Sequence, residues 1–164
     1  MGNYLNQDGL FVKIGTTKAT PNLAGEFKTY GALREIEVAI DLTALTSTSV
    51  IQSDQVFIPS GVRIEEVEIV AETAATSGGA PTLDVGMIQT DRTTVTSNTS
   101  FIAALAMTAI DAAGEKNVLR IGSTSVGAAV GTTTSQVNYI AARANTATFT
   151  AGRVVVRIRY MKIV

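Results

Sequence analysis

The side chains with the most chemical capacity in this chain are acids and arginines set two residues apart. Glu35, Glu37 and Asp41 alternate with Ile36, Val38 and Ile40. Glu66, Glu68 and Glu72 share a stretch with Val67, Ile69 and Ala71, and Arg157 and Arg159 alternate with Val156, Ile158 and Tyr160 near the end. Such spacing puts like charges on one face of a strand. Two carboxylates across a cleft could hydrolyse a glycosidic bond. A basic stripe over 153–162 could hold a polyanion. A third reading explains both signs at once: the acidic and basic stripes are the polar faces of neighbouring strands and pair with each other. It predicts that Arg157 or Arg159 faces a glutamate from Glu35, Glu37, Glu66 or Glu68, within the subunit or across a contact between copies.

Other chemistries lack their residues. The 164-residue chain has no His, no Cys and no Trp, so neither a Ser-His nor a Cys-His relay can be built from it. The commonest zinc and copper ligands are missing as well. "SGG" at 77–79 lacks the lysine and helix of a phosphate-binding loop. Asp84 and Asp91 lie near threonines, but a calcium loop needs a denser run of oxygen ligands, and turn capping is the expected role for an isolated Asp. "NTS" at 98–100 is a glycosylation triplet of the sort a Thr-rich chain contains by chance. Met1-Gly2 lacks the later Ser or Thr of a myristoylation signal, because Asn6 stands there. The formal net charge of −1 argues against direct nucleic-acid binding. Aromatics are only 5% of residues, too few for a broad stacking platform, and core packing is the expected role of each. No catalytic residue, metal or cofactor is expected, and the protein reads as a non-enzyme.

The elements that must hold these side chains are strands. "LREIEVAIDL" (33–42), "DQVFIP" (54–59), "VRIEEVEIVAET" (62–73), "TLDVGMIQ" (82–89), "VLRIG" (118–122), "QVNYIAA" (136–142) and the closing "GRVVVRIRYMKIV" (152–164) follow or approximate period two. The alternation slips at Glu65-Glu66, which predicts a β-bulge. "FIAALAMTAIDAAG" (101–114) places Phe101, Ile102, Leu105 and Ala109 at helical spacing behind Ser and Thr caps, predicting one short helix. "STSVGAAVGTTTS" (123–135) has too many small residues and glycines to be rigid alone. About eight short strands with at most one short helix predict an all-β body, a β-sandwich or jelly roll, over 31–164. Residues 1–30 carry short apolar patches (Tyr4, Leu5, Leu10, Phe11) between Gly, Asn, Asp and Pro, which predicts an extended N-terminal arm that docks on something. No secretory signal and no stretch of 18 apolar residues is present, so no membrane span is expected. A sheet-rich body with a sticky arm and few charges suits a protein that assembles.

The wording of several segments adds a resemblance. "MGNYLNQDGLFVKIGTTKA", "VFIPSGVRIEEVEIVAETAAT", "LDVGMIQTDRTT" and "FTAGRVVVRIRYMKIV" resemble the small capsid decoration (cement, or head auxiliary) proteins of tailed bacteriophages. The likeness runs over most of the chain and is weakest at 101–145. It implies a structural protein of the virion, made in the bacterial host cytoplasm and bound to the outer capsid surface. It further implies the major capsid protein as partner, a homotrimer as the common form, and an arm that helps clamp neighbouring capsid subunits. On that view Tyr4, Leu5, Leu10 and Phe11 are the capsid or oligomer contacts. Two other classes stay open: a fibre, tail or host-surface module that binds glycans, and a carboxylate-based hydrolase.

Overall fold

A computed structural model describes residues 3–5, 11–13 and 33–163. Within the stretch read as an arm, β1 (Asn3–Leu5) and β2 (Phe11–Lys13) form an antiparallel ribbon with Tyr4 opposite Val12. Tyr4, Leu5 and Phe11 belong to it; Leu10 lies outside the described residues, as do 14–32.

The rest is all-β. In chain order come β3 (Arg34–Asp41), a 3-10 turn (Leu42–Ala44), β4 (Val50–Ile51), β5 (Phe57–Ile58), β6 (Val62–Thr76), β7 (Thr82–Gln89) and β8 (Val95–Ala106). A second 3-10 turn (Met107–Ala109), β9 (Lys116–Leu119), β10 (Asn138–Asn145) and β11 (Ala151–Lys162) complete it. Two antiparallel sheets pack face to face as a sandwich. One has the order β3-β11-β6-β9; the other runs β4-β10-β7-β8, with β5 also paired to β10.

Alternation builds the core. Val38, Ile40, Val67, Ile69, Val154, Val156 and Ile158 face inward from the first sheet, and Leu83, Val85, Phe101, Ile102, Ile140 and Ala142 meet them from the second. Each is almost wholly removed from water, and this apolar burial is what drives the sheets together. The last strand, β11, pairs with β3 on one side and β6 on the other.

The bulge foreseen at Glu65-Glu66 is present. Arg159 pairs with Glu66 and Tyr160 with Ile64, so Glu65 is the extra residue. Its effect is large. Val62 and Ile64 point inward, and strict alternation would send Glu66 after them; the inserted residue sends Val67 inward instead and keeps Glu66 and Glu68 on the outer face.

The helix expected over 101–114 does not form. Residues 95–106 are β8, followed by a single 3-10 turn. The helical spacing of Phe101, Ile102 and Leu105 comes from bulges. While β7 advances from Val85 to Met87, β8 goes from Ile102 back to Ser97. Ala104 takes a left-handed conformation (φ 50°) between Ile102 and Leu105. Gly86 sits opposite this bulge, where a Cβ would overlap the Ser97 carbonyl oxygen.

The glycine-rich connection after β9 is tied down at both flanks. Gly127 and Ala129 donate to the carbonyls of Phe101 and Ser100, while Gly131 donates to Ile64 and Thr134 to Val62. It thereby joins the β8 edge of one sheet to β6 of the other. A side chain at 127 would collide with the Ser100–Phe101 backbone, so glycine is what lets the two strands of backbone touch.

Candidate interaction surfaces

The outer face of the four-stranded sheet carries alternating charges in rows that cross the strands. In one row, Arg159 lies between Glu35 of β3 and Glu66 of β6, with Arg120, just past β9, beyond Glu66. Its Nε donates to Glu35 at 2.7 Å, and both Nε and Nη2 of Arg120 reach Glu66 at 2.6 Å. In the next row, Arg157 Nε donates to Glu37 at 2.7 Å and its Nη1 to Glu68 at 2.9 Å. Lys116 of β9 lies 2.7 Å from the other Glu68 oxygen, and Arg159 Nη2 is 3.5 Å from that oxygen. Arg153 and Glu72 form a separate pair at 2.8 Å.

The register explains the rows. Arg157 is opposite Glu37 and Glu68, and Arg159 opposite Glu35 and Glu66. Burial is uneven along them. Glu68 is 2% exposed and Glu66 8%, although both point away from the core, because the neighbouring cationic side chains close over them. Glu68 is held below the ordinary glutamate pKa chiefly by the hydrogen bond from Lys116, against the cost of burial, with Arg157 adding to the effect. For Glu66 burial pushes upward most strongly, yet the bonds from Arg120 and Arg159 together outweigh it. Arg157 and Arg159 are raised, mainly by their bonds to Glu37 and Glu35 respectively. Carboxylates engaged in this way serve as structural acceptors; acid catalysis would need one of them held protonated.

The outer face of the five-stranded sheet is different. The register sets Phe57, Tyr139, Ile88 and Val95 in one line across β5, β10, β7 and β8. Phe57 is 50% exposed and Val95 42%, while Ile88 between them is nearly covered. Val137, at the head of β10, adds further exposed apolar surface. The Arg92 guanidinium stacks 5.3 Å from the centre of the Tyr139 ring and pairs with Asp54 at 2.9 Å. Phe57 and Tyr139 depart from the core packing expected of every aromatic: both lie on this outer face, because their strand neighbours Ile58 and Ile140 take the inward positions.

The same face holds a buried pair that sequence reasoning missed. Asp84 is 1% exposed, accepts from Arg143 Nε at 2.9 Å, and takes the Ala104 amide at 2.7 Å. Its expected turn-capping role is thus corrected: the β8 bulge brings a backbone N–H to it. Asp91 does cap a turn, accepting from the amides of Thr93 and Thr94 at 2.9 Å and from the Thr94 hydroxyl at 2.5 Å. The Thr94 hydroxyl bond is the main reason its pKa falls to about 2.

No protein-family model matches the chain, and no curated protein sequence matches it. Solved structures do. A chain in the capsid structure of Helicobacter pylori bacteriophage KHP30 is similar with a TM-score of 0.53 and 14% identity, over 81% of this chain and 90% of that one. A chain of the cyanophage Pam1 capsid asymmetric unit gives 0.50 and 15%, over 93% and 100%. One in the capsid of Ralstonia phage GP4 gives 0.54 and 13%, over 87% and 92%. At these identities the likeness is one of fold.

Proposed function

We propose that this chain is a structural protein of a bacteriophage head that binds the outer surface of the capsid and stabilises it, as a decoration or cement protein. One observation carries the reading: the fold recurs over 81–93% of this chain in chains from three phage capsid structures, at identities of 13–15%. The phrasing of the sequence points the same way. The exposed apolar row on the five-stranded sheet is the described surface suited to contacting the major capsid protein, and Tyr4, Leu5, Leu10 and Phe11 are the N-terminal residues assigned to the same contact on this reading.

The mechanism is linkage. A protein that binds the assembled shell and not its free subunits stabilises the shell by mass action. Symmetric repetition multiplies a modest contact, the more so if the protein binds as a homotrimer. The test is co-sedimentation with capsids lacking this protein. The full chain is expected to saturate a fixed number of sites, and a chain deleted for residues 2–14 to stay folded and remain in the supernatant. Decoration by the truncated chain equal to that of the full chain would remove the arm from the account; no binding by the full chain would remove the account.

A second reading draws on the cross-strand aromatic pair Phe57 and Tyr139, which resembles a small sugar platform. A fibre, tail or host-surface glycan-binding module predicts saturable binding on a glycan array, lost on Phe57→Ala.

A further inference from the structure

The two edges of the four-stranded sheet carry opposite signs. At the β3 edge stand Glu35 and Glu37, whose side chains are 41% and 55% exposed. At the β9 edge stand Lys116 and Arg120, 53% and 69% exposed. Among the described residues β3 pairs only with β11 and β9 only with β6, so both edges offer unpaired backbone. Neighbours in this sheet are all antiparallel, so β3 and β9 themselves run in opposite directions.

We propose that copies of this chain associate head to tail, the β9 edge of one against the β3 edge of the next. Strand polarity permits it: a β3 placed beside β9 continues the antiparallel order. Charge favours it over the symmetric alternatives. Two β3 edges together would set carboxylates against carboxylates, and two β9 edges cations against cations, and like charges directly opposite destabilise a sheet. Head to tail, the Glu35–Arg159–Glu66–Arg120 row continues its alternation into the neighbour, while the second row ends on Val118 and meets the next copy's Glu37 only through the diagonal Lys116. The register that extends the rows puts Arg120 opposite Glu35 of the next copy and Val118 opposite Glu37, with Lys116 one step diagonal to that Glu37. A contact of this heterologous kind closes into a ring or runs on as a filament, according to the rotation between copies. It uses the other sheet from the one offered to the capsid, so it stands whether or not the capsid reading does.

Sedimentation of the full 17.1 kDa chain tests it. The wild type is expected above monomer mass at high protein concentration, with association weakening as salt rises. Glu35→Lys/Glu37→Lys and Lys116→Glu/Arg120→Glu should each sediment as monomers. An equimolar mixture of the two variants should associate again, because every contact between unlike copies is then complementary. A wild type that stays monomeric at every concentration, or a mixture that does not recover, overturns the proposal. These side chains also pair within the chain, so a milder probe accompanies them. The protein has no native cysteine. Under oxidation Glu37→Cys mixed with Val118→Cys should give a disulfide-linked dimer, and neither alone should. A dimer from either single variant means symmetric pairing, and no dimer from the mixture means no such contact; both overturn it.

Discussion

Replacing Glu68 by Gln changes almost no volume and removes one nearly buried charge. Three cations converge on that carboxylate: Arg157 at 2.9 Å, Lys116 at 2.7 Å and Arg159 at 3.5 Å. The amide can still accept one hydrogen bond, but its NH2 group faces a cation where an oxygen stood. Charge-assisted bonds contribute roughly 1.5–3 kcal/mol each, and breaking a buried pair costs about 3–5 kcal/mol. With one acceptor retained, the expected loss is about 2–4 kcal/mol, or roughly 4–16 °C in Tm for a chain of this size. Glu37→Gln is the internal control. Its partner Arg157 is shared, but the Glu37 side chain is 55% exposed, and exposed pairs contribute about 0–1 kcal/mol. Urea unfolding of the two variants at neutral pH measures the difference. The pH dependence gives a second reading. Glu68 has a folded pKa below its ordinary value of 4.5, so its stabilisation is fully present above that value and is lost as pH falls through the folded one. The gap between wild type and Glu68→Gln should therefore close in acid. Equal losses at positions 37 and 68, or a gap that persists in acid, would refute the idea that burial makes Glu68 the centre of the lattice.

Other expectations follow from single contacts. Gly86→Ala forces a Cβ into the Ser97–Asn98 backbone and should destabilise by roughly 1–3 kcal/mol in urea unfolding; a neutral result would mean the β8 bulge is freely movable. Asp91 should titrate at about 2 by NMR, and a value near the ordinary 3.8 would mean that the Thr93–Thr94 turn does not hold it. Phe57→Asp with Val95→Asp should cut capsid binding at least about tenfold, as loss of anchor residues does, with thermal stability nearly unchanged, because both side chains are about half exposed. Unchanged capsid binding would move the contact off this face.

Much of the fold is legible where a strand keeps period two. The segment 82–89 appears as β7 with the boundaries its composition suggests, and the polar doublet Glu65-Glu66 marks its own bulge. Legibility fails where the backbone departs from period two for tertiary reasons. In β8 the bulge opposite Gly86 scrambles the alternation and imitates a helix. The candidate surfaces divide in the same way. Opposite charges at 35–37, 66–68 and 157–159 suggest pairing by sign alone, but only the register shows that Glu68 collects three cations. The apolar row cannot be seen in one dimension, since Phe57, Ile88, Val95 and Tyr139 come from four strands. Asp84 and Arg143 meet across 59 residues with no local signal.

The proposed function places this protein on the outside of a phage head. Cryo-EM reconstruction of capsids lacking it, before and after addition of the purified chain, tests that most directly. New density is expected on the outer surface, fitting the β-sandwich with its five-stranded sheet toward the shell. Density inside the shell or at the tail, or maps identical before and after, would contradict it.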